Sequence, residues 1–393
     1  MNNVTVAVVL HNAGSLIPHL AKTLKSLPSD VRTVIYDSGS TDGSAEDAAM
    51  ACEHAEIIRG VNRGFGFGNN RCIEKITTEY TLLLNSDASI ETDSISKLVR
   101  FLDDNPDHAG VQPLVRLWGW NRVTASAGVF LTGYGEAWDS RFMHLELFPL
   151  RTPVQVPAIT GAVSLWRTEA LRQVKGFDEA FFMYFEDADL SLRLGAAGWN
   201  LSLVRDAEAS HMIGASSNRK TALEWEFESS IRIFRRYIGS GRLTWKWWQR
   251  EIRILRHFIL HGNSPLWRLR AVFRAYRNVE KTIDLPSRIA SILFGEPLDY
   301  PLHRPDESSP GPGWAGNEIA PWGAMKTSGK PVTLLLRSIE HTVTGAVSDK
   351  NGDIITRFCV PGKATHSLKL ADLSGLVYIH CDSISDRLEV KIQ

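Results

Sequence analysis

Several polar clusters in the first 217 residues have side-chain types and spacings that could do chemistry. Asp37-Ser-Gly-Ser-Thr-Asp-Gly-Ser44 directly follows an apolar run. A carboxylate there can accept hydrogen bonds from a nucleobase or ribose, with small neighbours allowing close approach; the plainer reading is a turn built on Asx motifs. Asn62-Arg-Gly-Phe-Gly-Phe-Gly-Asn-Asn70 sets three glycines before a predicted helix, and backbone N–H groups at a helix start suit a diphosphate. It fits neither a Walker A loop nor the dinucleotide GxGxxG pattern, and a merely tight loop is the alternative. Asn85-Ser-Asp87 closes the apolar run Thr81–Leu84. Asp87 could bind a hard divalent cation that also grips a diphosphate, or simply cap a helix or turn. Glu186, Asp187 and Asp189 lie beside the aromatic run Phe181–Phe185. Burial there would raise a carboxyl pKa towards the general-base range. Asp189 with Arg193 at i+4 reads as a helix-stabilising pair, leaving Glu186 and Asp187 less easily explained. His211 follows Asp187 by 24 residues, in His211-Met-Ile-Gly-Ala-Ser216; a lone histidine is usually structural.

These residues need a scaffold. Val4–Leu10, Val31–Tyr36, Glu56–Ile58 and Thr81–Asn85 read as short buried strands, with Ser15–Ser26 and Asn69–Ile76 as helices between them. The alternation predicts an α/β domain on a mostly parallel sheet, with the polar loops along one sheet edge, where such sheets bind ligands.

The 393 residues include 44 basic and 44 acidic side chains, and that balance conceals an asymmetry. Arg219–Ala290 holds 16 Lys/Arg against 6 Asp/Glu, and many aromatics. Such a segment suits nucleic acid, an anionic membrane surface or an acidic neighbouring domain. Within it Trp248, Ile252, Leu255 and Ile259 form a predicted apolar face, opposite Lys246, Arg250 and Arg253. Pro301–Pro331 reads as a linker, and Val332–Ile392 as a small β-sandwich-like module. Composition excludes a disordered, collagenous or coiled-coil chain. Four cysteines without CxxC spacing exclude a disulfide scaffold. Val4–Leu10 has no preceding basic region, so it reads as a strand rather than a signal peptide, and no apolar stretch reaches the length of a membrane span. A reducing, cytoplasmic setting is the expectation.

Taken in order, Asp37–Ser44, Asn62–Asn70, Leu84–Asp87, Gly176–Leu190 and His211–Ser216 resemble the motifs of the inverting family 2 glycosyltransferases with the GT-A fold, particularly the bacterial rhamnosyltransferase-like branch. The resemblance spans Val4 to Ser217, with His11 where a tyrosine is common, Ser86 where proline is, and Lys175 where glycine is. It implies a GT-A domain over 1–217, followed by a basic amphipathic helical segment (218–300), a linker (301–331) and a β-rich domain (332–393). By the same resemblance Asp187 would be the catalytic base, and Asp87 and His211 metal ligands for Mg²⁺ or Mn²⁺. His11, Asn12, Asp37, Ser40, Asp42, Asn62, Gly64, Phe65, Asn69, Asn85 and Gly161 would bind the donor, and Glu186 and Trp166 would face the acceptor.

The implied activity is inverting, metal-dependent transfer of a sugar from a nucleotide-sugar donor to a glycan or lipid-linked acceptor in cell-surface polysaccharide synthesis, such as O-antigen. The enzyme would sit at the inner face of the cytoplasmic membrane. dTDP-L-rhamnose is the expected donor, with UDP-hexoses and UDP-galactofuranose as alternatives. Displacing a nucleoside diphosphate requires a cation for two developing charges and one base for the acceptor hydroxyl; a glycosidase would instead need a second carboxyl acting as acid. The rival readings are a catalytically silent nucleotide-sugar or glycan-binding protein and a nucleic-acid binder. The intact Asp87, Asp187 and His211 argue against the first.

Overall fold

The computed structural model describes residues 2–52, 54–142, 145, 153–212, 219–239, 244–260, 266–277, 283 and 285, and then 314–315, 318–319, 322–328, 332–338, 341–351, 353–370, 374–381 and 388–392. These residues fall into two compact units. The first comprises Met1–Val115, Ser126–Ser140 and Arg151–Glu296, and the second Arg116–Ala125, Arg141–Leu150 and Pro297–Gln393.

The first unit has the α/β class expected from the sequence. Its strands and helices run β1 (Val4–Leu10), α1 (Ile17–Lys25), β2 (Arg32–Asp37), α2 (Ser44–Ala51), β3 (Ala55–Arg59), α3 (Phe65–Lys75), β4 (Tyr80–Leu84), β5 (Ala88–Ile90), α4 (Thr92–Asp104) and β6 (His108–Leu117). After β7 (Trp120–Ser126) come β8 (Val129–Leu131), β9 (Ala137–Asp139), β10 (Val154–Gln155), β11 (Val163–Arg167), α5 (Thr168–Gln173), α6 (Glu186–Ala196) and β12 (Asn200–His211). Three helices follow: α7 (Arg219–Ile233), extended by a π-helical turn at Phe234–Ile238, α8 (Trp245–Leu260) and α9 (Leu266–Arg277).

Strands β3, β2, β1 and β4 lie side by side and parallel. β11 then pairs antiparallel with both β4 and β6, and β12 pairs antiparallel with β5. Strand order reverses between β1 and β4, and open α/β sheets bind ligands beyond the carboxyl ends of strands at such a reversal. β1 and β4 are apolar runs buried on both faces, as central parallel strands must be. Helix α4 lays Ile95, Leu98 and Leu102, at i, i+3 and i+7, into the core that also takes Val4, Val6 and Val8.

Two sequence expectations change here. Helix α3 starts at Phe65 rather than Asn69, so Gly66 and Gly68 belong to its first turn. Their role is close packing: a Cβ on Gly66 would come 2.8 Å from Phe177 Cβ, and one on Gly68 2.8 Å from Val9 Cγ1. In α8 the inward residues are Trp247 and Glu251, each 1% exposed, while Ile252 is 45% exposed. The buried Glu251 carboxylate accepts two bonds from Arg268 of α9, at 2.5 and 2.7 Å, so the helical pair closes on an ion pair as well as an apolar stripe.

The second unit is built on two antiparallel sheets. Its strands are β13 (Trp314–Ala315), β14 (Glu318–Ile319), β15 (Trp322–Ser328), β16 (Val332–Ser338), β17 (Val343–Asp349), β18 (Ile354–Val360), β19 (Thr365–Leu370), β20 (Ser374–Cys381) and β21 (Leu388–Ile392). The sheet orders are β13-β14-β21-β16-β19 and β15-β20-β17-β18, around a core that includes Leu334, Leu336, Val347, Val360, Ile379 and Val390. The expected linker is corrected in its second half. Trp322–Ser328 is a strand paired along its whole length with β20, a role its Gly, Lys and Ser residues did not suggest; residues 301–313 lie outside the described residues. The unit also takes in Arg116–Ala125, where Tyr378 donates to Asn121 Oδ1 at 2.8 Å and packs with Val123 and Leu145.

Candidate active site

The carboxyl ends of β1, β2 and β4 bear His11-Asn12, the Asp37–Ser44 motif and the Leu84–Asp87 motif. After β1, Asn12 takes a left-handed conformation (φ 48°) that lets its backbone N–H reach Ser40 Oγ at 2.9 Å, while its Oδ1 accepts the Thr41 N–H at 2.9 Å. His11 Nδ1 lies 3.0 Å from the Ser38 carbonyl. Two loops are thereby tied into one rim. Asp37, at the end of β2, is 4% exposed. Its Oδ2 accepts the Ser40 N–H at 3.3 Å, whereas its buried Oδ1 and the neighbouring Ser38 Oγ have no hydrogen-bond partner among the described residues. Buried polar atoms left open cost free energy unless a ligand satisfies them, so this pair suits a base or ribose. Asp42 differs. Its carboxylate accepts the N–H groups of Gly14 and Ser44, each at 3.0 Å, and the Ser44 hydroxyl. The Ser44 hydroxyl foremost, with the Gly14 N–H next, holds its pKa down to about 2. Asp42 shapes the rim with both oxygens engaged.

The second wall comes from α3 and the chain before α6. Asn62 Oδ1 accepts the Gly64 N–H at 3.1 Å, and the Phe65 N–H donates to the Phe182 carbonyl at 3.0 Å. Gly64 has φ 103°, and a Cβ on it would lie 2.1 Å from that carbonyl oxygen, so only glycine fits. Asn69 is buried and donates to the Phe65 carbonyl at 3.1 Å, which makes it a brace for the first turn of α3.

Asp87 and His211 are 124 residues apart in sequence and adjacent in space, because β5 pairs with the end of β12 and sets His211 opposite Ala88. Asp87 is 5% exposed, and its Oδ1 lies 3.1 Å from His211 Nε2. Asn85 donates its backbone N–H to the Ala162 carbonyl at 2.9 Å, fixing this turn against the Gly161-Ala162 segment. Among the described residues no group of three or more His, Cys, Asp or Glu side chains is arranged to hold a metal ion unaided. The rest of the motif, Gly214 and Ser216 included, lies outside the described residues.

Asp187 stands in the first turn of α6. Its Oδ2 accepts the Gly161 N–H at 2.8 Å and its Oδ1 the Ala188 N–H at 2.7 Å. Burial raises its pKa while these two donors oppose the rise. Glu186, 6% exposed, is pushed up to about 8 by burial and then by the charge of Asp187, and its Oε2 has no hydrogen-bond partner among the described residues. Of two adjacent carboxyls, Asp187 has the donors that stabilise an anion and Glu186 is the one that keeps its proton. A stability consequence follows. Glu186 titrates near 4.5 when unfolded and near 8 when folded, so the folded chain holds a proton the unfolded chain releases, and stability falls as pH rises through that window. Glu186→Gln should remove the effect: its melting temperature, relative to the parent, is expected to rise between pH 5 and pH 8.5. A difference that stays constant with pH would contradict this.

Trp166 is corrected. It is fully buried on β11, donates its indole N–H to Ser164 Oγ at 2.8 Å, and has no surface to offer an acceptor. Asp139, at the end of β9, is a residue that sequence reasoning missed. Its Oδ1 is enclosed, and burial raises it to about 6, with a hydrogen bond from Ser126 opposing, the charge of Asp187 adding and that of His211 opposing. A single Asp in Trp138-Asp139-Ser140 carries no sequence signal. Trp225 of α7 also arrives from outside the motifs, its ring 4.8 Å from that of Phe182.

Comparison with known proteins shows the family of the chain. The family model described as Glycosyl transferase family group 2 matches residues 80–293. The N-acetylglucosaminyl-diphospho-decaprenol L-rhamnosyltransferase of Mycobacterium tuberculosis is 28% identical over 290 residues, 66% of this chain and 93% of that protein. Rhamnosyltransferase WbbL of Escherichia coli (strain K12) is 25% identical over 262 residues, 61% of this chain and 96% of that protein. Among solved structures, GalNAc-T7 with UDP, GalNAc and Mn2+ aligns at 14% identity with a TM-score of 0.48, over 60% of this chain and about half, 48%, of that one. With over half its length matched by the family model, the chain belongs to glycosyl transferase family group 2 and is a glycosyltransferase similar to bacterial rhamnosyltransferases.

Proposed function

We propose that the protein transfers L-rhamnose, with inversion, from dTDP-L-rhamnose to a lipid-linked glycan acceptor. The observation that carries the reading is the link between Asp187, held by two backbone N–H groups, and the turn that bears Asp87 beside His211: Gly161 donates to Asp187 while its neighbour Ala162 accepts from Asn85. Asp37 and Ser38 would take the base or ribose, and the Asn62–Phe65 turn would lie along the nucleotide. Asp187 accepts the acceptor hydroxyl proton as that oxygen bonds to the anomeric carbon, and the bond from that carbon to the diphosphate oxygen breaks. Asp87 and His211 supply a carboxylate oxygen and an imidazole nitrogen side by side, a fit for part of a Mg²⁺ or Mn²⁺ shell completed by diphosphate oxygens and water. When bound, such an ion neutralises charge developing on the leaving diphosphate.

The rhamnose donor and lipid-linked acceptor are favoured because the mycobacterial relative is named as a rhamnosyltransferase acting on a diphospho-decaprenol sugar. A thermal-shift screen of nucleotide sugars with Mg²⁺ tests the donor, because a bound ligand stabilises by mass action. dTDP-rhamnose is expected to give the largest upward shift. A larger one with UDP-hexoses would reassign the donor, and no shift with any would overturn the reading.

A lipid-linked acceptor makes docking on an anionic membrane useful. Among the described residues no helix is long and apolar enough to cross a membrane. Outward-facing residues are Trp245, 70% exposed, and Ile252 on α8, and Leu266, Leu269 and Phe273, 69% exposed, on α9. Arg253, Arg256 and Arg270 are exposed among them. Apolar side chains for the headgroup region combined with cations suit anionic lipid. Co-sedimentation with phosphatidylglycerol vesicles but not phosphatidylcholine vesicles is expected, weakened by salt and by Arg253→Glu with Arg270→Glu. Equal recovery in the supernatant with both would sink the docking proposal while leaving the transferase reading intact.

A further inference from the structure

The chain from Asp178 to Asp189 carries two strained backbone positions next to the site. Within it the Phe182 carbonyl receives the Phe65 N–H at 3.0 Å, Tyr184 and Phe185 are two successive non-glycine residues with positive φ (69° and 66°), and Glu186 and Asp187 follow at once. Left-handed conformations at bulky residues persist only where the surroundings impose them. Three groups do so here. Arg236, in the π-helical turn after α7, donates from Nη1 to Asp189 Oδ1 at 2.5 Å and from Nη2 to Asp178 Oδ2 at 2.7 Å, gripping both ends of the segment. Its guanidinium also lies over the Phe181 ring, 5.6 Å from the centroid. Tyr237 donates to the same Asp189 oxygen at 2.8 Å, and Arg193 takes the other at 2.7 Å. Asp189 is fully buried and Arg236 is 8% exposed, so the Asp189 end of the clamp is shielded from water. A π-turn, which changes the side-chain register of a helix, sets Arg236 and Tyr237 on this network.

We propose that Arg236 is a positioning residue for the transfer reaction: by bridging Asp178 and Asp189 it fixes the left-handed turn that aims Asp187 at the acceptor hydroxyl. The inference rests on Asp187 being the base. It gives the basic helical segment a role inside the active site, separate from any membrane contact. Lysine at 236 keeps the charge but has no planar fork to hold two carboxylates at once.

The test compares Arg236→Lys, Asp178→Asn and Asp187→Asn, singly and with each clamp variant combined with Asp187→Asn, by kcat, donor Kd and thermal melting. Asp178→Asn opens one end of the clamp at a partly exposed residue, and so guards against misfolding of Arg236→Lys. The expected result is a kcat lowered by about 10–100-fold in Arg236→Lys, the cost of a misplaced reacting group. Donor Kd should stay within about threefold, and Asp178→Asn should show a smaller loss of the same kind. In the Asp187→Asn background neither clamp variant should slow the residual rate further, because the group they aim is already disabled. A kcat at the parent value in folded Arg236→Lys would overturn the proposal. So would losses that persist in the Asp187→Asn background, or a fall in donor binding, rate and melting temperature together in both clamp variants. Full activity of Asp187→Asn would instead refute the base assignment.

Discussion

Asp187→Asn is expected to lower kcat by about 10²–10⁴-fold while donor affinity stays nearly unchanged. The amide cannot take a proton from the acceptor hydroxyl, and the residues proposed for the base and diphosphate lie elsewhere. The substitution is not a perfect isostere. Asp187 accepts backbone N–H groups on both oxygens, from Gly161 and Ala188, whereas asparagine can accept on only one. Its NH₂ group would face a backbone donor, so a stability loss of about 1–3 kcal/mol should accompany the kinetic defect. Melting curves therefore belong beside the rate measurement. Single-turnover rates with donor saturating separate the two effects, since an unfolded fraction reduces amplitude and a missing base reduces the rate constant. If Glu186→Gln proves inactive and Asp187→Asn active, the two neighbours have exchanged roles.

Much of this site was legible in the sequence because its parts sit at strand ends. A run such as Val4–Leu10 or Tyr80–Leu84 announces a buried strand, and the polar residue that ends it must emerge at the sheet edge. Asp37 and Asp87 could be placed in that way. His211 could not, because what brings it to Asp87 is the pairing of the three-residue β5 with β12, a long-range register with no local signature. The glycines of Asn62–Asn70 were misread as a loop because glycine signals conformational freedom and also close packing; the Val9 and Phe177 contacts of Gly68 and Gly66 select the second meaning. The family resemblance implies that Trp166 faces the acceptor, yet β11 carries it into the interior. The basic surplus after Arg219 was read as a surface property. Part of it is internal: Arg236 and Arg268 each neutralise buried carboxylates. Charge counted along a chain does not reveal which charges face each other after folding.

Asp87→Ala should remove most transfer activity, by about 10²-fold or more, and for the parent protein excess EDTA should do the same, with Mg²⁺ or Mn²⁺ restoring it. Asp87, buried, and His211, half-buried, face each other across 3.1 Å. Without a metal ion the contact is a hydrogen bond, with the His211 Nε2 proton directed at the carboxylate. A cation bound there would take the place of that proton, so Asp87 and His211 would serve as ligands only when the imidazole nitrogen carries no proton. Asp87→Ala leaves the imidazole without its carboxylate and removes a hard oxygen ligand from this point. His211→Ala keeps that oxygen, and should therefore retain more activity than Asp87→Ala and respond more strongly to raised Mn²⁺. The two variants thus separate loss of a ligand from loss of the site. Full turnover of the natural donor in excess EDTA would refute the metal role. It would leave Asp87 and His211 as a hydrogen-bonded pair that locks β5 to β12, and the charge on the leaving diphosphate would then have to be met by backbone N–H groups such as those opening α3.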